Sequence, residues 1–489
     1  MVNIYLPPCC VGETLASENK LVRRLSLLDS ILLLAGGIIG SGIFLTAQDV
    51  AGNTRSPLLF LCVWVIGVVI TLLACFAFAE MGAMFPRAGG QYVFMREAYG
   101  EFVAFLYGWM IFTVSDGGTI AALAAGFSLY LGSVFPGLGA GQTIATIGRH
   151  HLFGHTVAFT LTGRHLLAIA AIALQTAINI FGVRAGAVLQ NIATWIKFAA
   201  IAAFLVLGLT LGKGSWAHYT TSLPPFTGLR PLFAGLGVAL IAVFWALDGW
   251  VYITWVAGEV RDPQRNLPRS LIWGLLLVGL IYLAINVLYL YALPIAGING
   301  TTTVAESAAV VMFSPAVGRL LGLLIAISCF GAMASCILSG ARVYYAMAED
   351  GLFFQALARV HPRWHTPVWS LVLQAAWAAV LVLVLDYADL FTYVMFMMVL
   401  SYVLTVAALF VLRRKMPDAE RPYRCAGYPW LPGLYVVLGG IWAANALLEK
   451  PRDALIGVFI VLAGVPFYLY WRIHKKADVV AEASTAQEV

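Results

Sequence analysis

A chain of 489 residues that is 61% hydrophobic and only 11% charged, with a mean hydropathy of +0.89, is not built for water, because a soluble domain carries about a quarter charged residues. Its 29 Lys and Arg against 23 Asp and Glu leave a net charge of +6. Those charges sit between apolar runs and do not form one basic stripe, which assigns them to membrane topology and excludes a nucleic-acid partner.

The first 20 residues are mixed and polar, and the first apolar run comes after Arg23 and Arg24. That pattern reads as a cytoplasmic start without a cleaved signal peptide. Cys9 and Cys10 read as part of a disordered N-terminus, with acylation as the alternative. Twelve apolar spans are expected, at 27–49, 57–84, 101–132, 165–182, 189–212, 231–257, 271–293, 317–347, 368–386, 388–412, 432–449 and 454–471. Each is about long enough to cross a hydrocarbon core of roughly 30 Å, and 165–182 is short for that length. The segment 134–164, with PGLGAG and RHHLFGH, reads as an exposed loop. The connections 86–100, 259–270 and 349–367 mix polar, aromatic, Pro and Gly residues and read as interfacial or re-entrant pieces. Even parity puts both termini on one side. An inside start then places most Lys and Arg on cytoplasmic segments and leaves Lys197 deep within a span.

Two spans are broken. The first carries AGGIIGSGIF, with Gly36, Gly37, Gly40 and Gly42 crowded around Ser41, and each glycine costs a helix about 1 kcal/mol relative to alanine. Unwound backbone at membrane depth is tolerated only where protein or a cavity surrounds it. Close packing through Gly36 and Gly40 is the plainer alternative. A phosphate-binding loop is excluded, since no strand precedes the glycines and no Lys-Ser/Thr comes after them. The sixth span breaks at Trp245–Gly249, in FWALDGW. Two breaks five spans apart are the pattern of an inverted five-plus-five repeat. The organisation expected is therefore an all-α integral membrane protein: a cytoplasmic segment 1–24, a first repeat 25–230, a second 231–415, two additional spans in 416–473 and a tail 474–489.

Broken helices expose dipoles. Free N–H groups near Ser41 and Gly42 suit a carboxylate, and free carbonyls at Ile38 and Ile39, with a second set at Phe244, Trp245 and Ala246, suit an ammonium. Together they would hold a small zwitterion. This is chemistry for binding, so no enzyme activity, cofactor or metal is expected.

The motifs GGIIGSGIF, AEMGAMFPRAGGQYVFMREAYG, FWALDGWVYITWVAGEVRDPQRNLPRS, SCFGAMASCILSGARVYYAMAEDG and RRKMPDAERPYRCAGYP, in order over residues 25 to 470, resemble the amino acid–polyamine–organocation family, and within it the L-type amino acid transporters. The resemblance implies the inverted-repeat fold of the sodium-coupled leucine transporter, with helices 1 and 6 discontinuous, and alternating access around a substrate held between helices 1, 3, 6 and 8. It implies that Gly40, Ser41 and Gly42 form the carboxylate-binding turn and that Trp245 closes over the substrate as a gate, against the plainer reading of an apolar anchor. Lys197, by the same resemblance, stands where a coupling cation would bind. Its own sequence leaves a built-in cation, a proton-exchanging lysine and a snorkelling lysine open. Ser335 and Ser339, one turn apart in the eighth span, are candidates to accept from it.

Other ionisable groups are weighed singly. Asp248 reads as a cap on the next half-helix, with a substrate-amine contact as the alternative. Asp116 either faces the pathway and favours cationic substrates or is a buried, hydrogen-bonded residue. Glu80 reads as structural, and Arg342 as reaching the cytoplasmic boundary. His150, His151 and His155 have H-x3-H spacing but no Cys, Asp or Glu nearby, so no metal site is expected. Asn299-Gly300-Thr301 is a glycosylation sequon. Animal relatives join a single-span partner through an outer-loop cysteine; none of the seven cysteines falls in an outer loop, so no disulfide-linked subunit is expected. The function expected is sodium-independent transport of L-amino acids across the plasma membrane of a bacterium, by exchange or proton coupling, with lipid as the only other partner. The alternative is a proton-coupled carrier of polyamines or other organic cations.

Overall fold

The computed structural model describes residues 21–138, 141–152, 155–384, 387–449 and 451–475; Cys9, Cys10 and the tail beyond Lys475 lie outside them. Helix α1 (Leu27–Ile38) starts at a capping box, in which Ser26 accepts from the Asp29 amide and the Asp29 carboxylate accepts from the Ser26 amide. It stops at the glycines, and the chain continues as α2 (Gly42–Leu45) and α3 (Ala47–Thr54). Then come α4 (Pro57–Met84), which opens with Pro in its first turn, and the short α5 (Gln91–Tyr99).

The third span is one continuous rod, Glu101–Val134. Within it, α6 (Glu101–Met110) passes through a π-helical turn at Ile111–Ser115 into α7 (Asp116–Val134). The extra residue in that turn re-aims the side chains beyond it, Asp116 first. Next are α8 (Gly163–Ile180), α9 (Val183–Thr210), α10 (Leu229–Leu247), α11 (Tyr252–Trp255) and α12 (Pro263–Ala292). The chain closes with α13 (Ile295–Asn299), α14 (Val304–Met312), the 35-residue α15 (Pro315–Glu349), α16 (Val368–Val384), α17 (Tyr387–Lys415), α18 (Trp430–Glu449) and α19 (Pro451–Leu462).

Among the described residues, 10 helices are long and apolar enough to cross a membrane, and Val368–Val384 and Trp430–Ala444 are shorter apolar helices. Leu58, Leu280, Ile441, Phe459 and Ile473 stand exposed on these helices, where a water-soluble protein would carry charge. The chain is a multi-pass membrane protein.

The segment read as an open loop departs from the all-α expectation. Strands Thr143–Leu152 and His155–Thr162 pair antiparallel, with Thr143 opposite Thr162 and Thr146 opposite Thr160. Their Thr, Ile, Val and Phe content favours the pleated form. His150, His151 and His155 therefore lie on strand backbone, which removes the helical premise of their H-x3-H spacing; their side chains lie outside the described residues. In the helical core α15 packs along α7 and α12 along α4, while α1 is enclosed by α9, α12 and α15.

Candidate functional site

At the end of α1 the Ile39 amide still reaches Ala35 (2.9 Å), but the Gly40 amide turns back to Ile38 (2.8 Å). Helix α2 then restarts with Phe44 and Leu45 both donating to the Ser41 carbonyl at 3.1 Å. Among the described residues the amides of Ser41, Gly42 and Ile43 consequently have no protein acceptor, and no side chain caps α2. In the second break the Asp248 amide donates to Trp245 (3.1 Å), so the Phe244 carbonyl goes without the amide a continuing helix would bring.

The two breaks touch. Gly249, at φ +101°, lies so close that a Cβ there would meet the Gly37 carbonyl at 3.0 Å, and a Cβ on Gly42 would meet the Ala246 Cα at 2.7 Å. Glycine is needed at both places for approach, and at Gly249 for conformation as well. Gly36 serves the plainer packing role too, since a Cβ there would strike Gln190 and Thr194 of α9.

Three side chains claim the exposed carbonyls. Lys197 of α9, 3% exposed, donates from Nζ to the Gly36 carbonyl (2.9 Å) and the Ile39 carbonyl (2.7 Å). It spans to the break and does not snorkel. Ser328 of α15 also donates to Ile39, at 3.0 Å. The Tyr282 hydroxyl of α12 lies 3.0 Å from both the Ile38 and the Ala246 carbonyls and so ties one break to the other. Its ring is held edge-on by Trp64, centroids 5.7 Å apart. Trp245 is buried beside this junction, and Phe244 is half-buried.

Several sequence expectations are corrected. Ser335 and Ser339 do not receive Lys197; both hydroxyls are buried without a partner among the described residues. Lys197 packs at the level of Gly331, and the hydroxyl that shares its acceptor is Ser328, three residues before that glycine. Asp248 does not cap α11, whose N-cap is Val251 with no side-chain bond. Three residues of break separate the carboxylate from the helix start, and Oδ1 instead accepts from the Tyr402 hydroxyl at 2.5 Å while Oδ2 is buried without a partner among the described residues. Asp116 is the buried, hydrogen-bonded residue of its two readings: it accepts from the Cys336 thiol (3.0 Å) and the Tyr344 hydroxyl (2.9 Å), and Gly340 lies flush against it.

Arg342 does not reach a boundary. It is fully buried and pairs with Glu259, Nε to Oε1 at 2.6 Å and Nη2 to Oε2 at 3.3 Å. The same Glu259 accepts through its carbonyl from the amides of Arg24 (2.8 Å) and Leu25 (2.9 Å), and the Leu25 carbonyl accepts from Arg261 (2.8 Å). The residues before α1 are thus strapped to those after α11. Nearby, Asp350 at the foot of α15 receives Arg96 and the Tyr92 hydroxyl of α5, and burial, then the Asp350 carboxylate, pushes the Tyr92 phenol above its usual range. Glu80 is a buried hub for Arg413 (2.7 Å), Arg421 (3.2 Å) and the Cys425 amide (2.6 Å).

Tyr282, Ser328, Tyr402 and the Glu259–Arg342 pair escaped the sequence reading. A tyrosine in an apolar helix carries no mark of its partner, whereas a Glu after one break and an Arg late in a facing span could have been paired by charge alone.

Proteins of known family share this chain's sequence over nearly its whole length. The amino acid permease family matches residues 25–468. The serine/threonine exchanger SteT of Bacillus subtilis (strain 168) is 30% identical over 459 residues, 92% of this chain and 97% of that one. The b(0,+)-type amino acid transporter 1 of Mus musculus is 27% identical, covering 95% and 91%. The large neutral amino acids transporter small subunit 2 of the same species is 28% identical, covering 93% and 82%. The chain belongs to the amino acid permease family, in its L-type-like branch of the amino acid–polyamine–organocation group.

Proposed function

We propose that this protein carries L-amino acids by alternating access, without sodium, as an exchanger or a proton-coupled carrier. The observation that carries the reading is the pairing of three unclaimed amides at Ser41–Ile43 with an ammonium, Lys197, bonded into the same break. The substrate carboxylate would take the amides of Ser41 and Gly42, with Gly40 giving room beside them. Its amine would share the carbonyls of Ile38, Ile39, Phe244, Trp245 and Ala246, with Asp248 at the rim. Trp245 would close the site, and Lys197 would stand in for a bound cation. Relatives named as amino acid transporters and exchangers over nearly the whole chain support this substrate class.

The same reading takes the two shorter apolar helices as spans, giving twelve, with the breaks in α1 and α10–α11 as equivalent points of an inverted repeat. Both termini lie on the cytoplasmic side of a bacterial inner membrane, so the Leu25–Glu259 strap closes the inner face. Transport proceeds without a disulfide-linked subunit. The test is uptake of labelled amino acids into sodium-free proteoliposomes, empty or preloaded, at two pH values. Uptake that needs preloading marks an exchanger, and uptake into empty vesicles driven by an inward proton gradient marks a symporter. No uptake of any amino acid in either case refutes the function.

A further inference from the structure

Where the Leu25–Glu259 strap meets the first turns of α12, five arginines stand exposed: Arg23 and Arg24 before α1, and Arg261, Arg265 and Arg269 after α11. A backbone bridge between Leu25 and Val260 joins the two segments. Both bridging side chains are buried, and their neighbours Arg24 and Arg261 are exposed on the outer side of the bridge. Among the described residues none of the five arginines enters an ion pair. Asp262 lies exposed beside Arg261, and the Asp29 carboxylate accepts from Ser26 and Asn191. The patch keeps an excess of positive charge.

Helix α12 runs this charge into its membrane-facing surface. Arg265, Arg269, Trp273, Leu277 and Leu280 are all exposed, and at about 100° per residue they fall within about a third of the circumference. The opposite face, with Leu267, Leu271, Leu275 and Val278, is buried, and Gly274 and Gly279 bring it flush against Leu34 of α1 and Val68 of α4. Trp273 is 63% exposed one turn beyond Arg269, and tryptophan is enriched at the level of lipid headgroups. Charge placed for topology alone needs no such alignment with a bare apolar stripe. A soluble anion answers the guanidiniums and leaves Trp273, Leu277 and Leu280 unused. An anionic phospholipid answers both, since its phosphate takes paired N–H bonds from arginine and its acyl chains lie along the leucines.

We propose that the strap and the first turns of α12 bind the headgroup of an anionic phospholipid, with Arg24 and Arg261 on one side of the phosphate, Arg265 and Arg269 on the other, and Trp273 against the glycerol. The site rests on the chain's place in a membrane and not on the transport reading, so either can fail without the other.

The test uses the full chain in phosphatidylcholine vesicles that contain either brominated phosphatidylglycerol or brominated phosphatidylcholine at matched mole fractions. Bromine quenches the tryptophans it touches, and subtracting the signal of Trp273→Phe isolates the Trp273 emission. Phosphatidylglycerol should quench it with at least about tenfold higher affinity than phosphatidylcholine. Arg265→Gln/Arg269→Gln should lower that preference about tenfold, and Arg24→Gln, on the other segment, about threefold to fivefold. Both variants should melt as wild type does, because they break no ion pair of the described protein. Equal quenching by the two lipids in wild type, or a preference that survives both variants, overturns the site. Loss of the preference in inorganic phosphate, at constant ionic strength, assigns the arginines to a soluble anion and overturns the lipid.

Discussion

Replacing Lys197 with methionine keeps the length of the stem and removes the charge and both donors. The Ile39 carbonyl would retain Ser328 (3.0 Å). The Gly36 carbonyl would retain nothing, since the amide four residues on, Gly40, is turned to Ile38. A hydrogen bond from a charged donor contributes about 1.5–3 kcal/mol, so two lost bonds weaken the closed arrangement of the break by at least about 3 kcal/mol. At about 1.4 kcal/mol per tenfold, exchange should slow by roughly 100-fold. Lys197→Arg keeps the charge and the donors but cannot release a proton, so it should preserve exchange and abolish any proton-driven uptake. The assay is initial uptake in preloaded and in empty proteoliposomes, with monodispersity checked for each variant. If Lys197→Met exchanges within about threefold of wild type, the lysine does not hold the break and the reasoning fails.

Tyr282→Phe keeps the ring on Trp64 but leaves the buried Ala246 carbonyl without its donor; thermal melting in detergent should fall by an amount matching about 1–3 kcal/mol, and an unshifted melt would show that the hydroxyl does not join the breaks. Gly42→Ala puts a methyl 2.7 Å from the Ala246 Cα, backbone that cannot yield, and should cost about 1–3 kcal/mol and abolish uptake. Gly137→Ala, where a Cβ meets nothing within 4 Å, should change neither, and normal uptake by Gly42→Ala would mean that the breaks do not close together. Arg342→Met strands a buried carboxylate at Glu259 and should cost about 3–5 kcal/mol, while the Arg342→Met/Glu259→Met double variant should recover much of it; a single variant as stable as the double would contradict the buried pairing.

The broken helices were legible because their signal is local. Four glycines around Ser41, and an Asp-Gly pair between aromatics, are poor helix whatever surrounds them, and the chain breaks at both. Lys197 was legible because a charge in an apolar run needs a reason. Its partners were not, since which face of α15 meets α9 depends on packing that no single helix records; Ser335, Ser339 and Ser328 look alike in sequence, and only the placement of Gly331 against the lysine separates them. Asp248 was misassigned because capping is judged by sequence distance to a helix start, and the break proved longer than the rule assumes. The hairpin at 143–162 was missed because PGLGAG and RHHLFGH drew the reading to turn residues and away from the Thr and Ile between them and the Thr, Val and Phe beyond.

The two breaks are unequal in what they leave for a substrate, and the inequality chooses between amino acids and polyamines. Ile38, Ile39 and Ala246 each already accept a protein donor, from Tyr282, Lys197 or Ser328, so at those three an incoming amine only shares acceptors that are satisfied without it, and the Phe244 carbonyl remains open to it. The amides of Ser41, Gly42 and Ile43 are satisfied by nothing in the described protein. A polyamine or other organic cation carries no acceptor for them and would seal three donors away from water, at about 1–3 kcal/mol each. A carboxylate answers the same donors with charge-assisted bonds, about twice as strong as neutral ones. The difference in favour of a substrate that carries a carboxylate is therefore several kcal/mol before any side chain is considered, and it arises from backbone that four glycines prevent from closing into a helix.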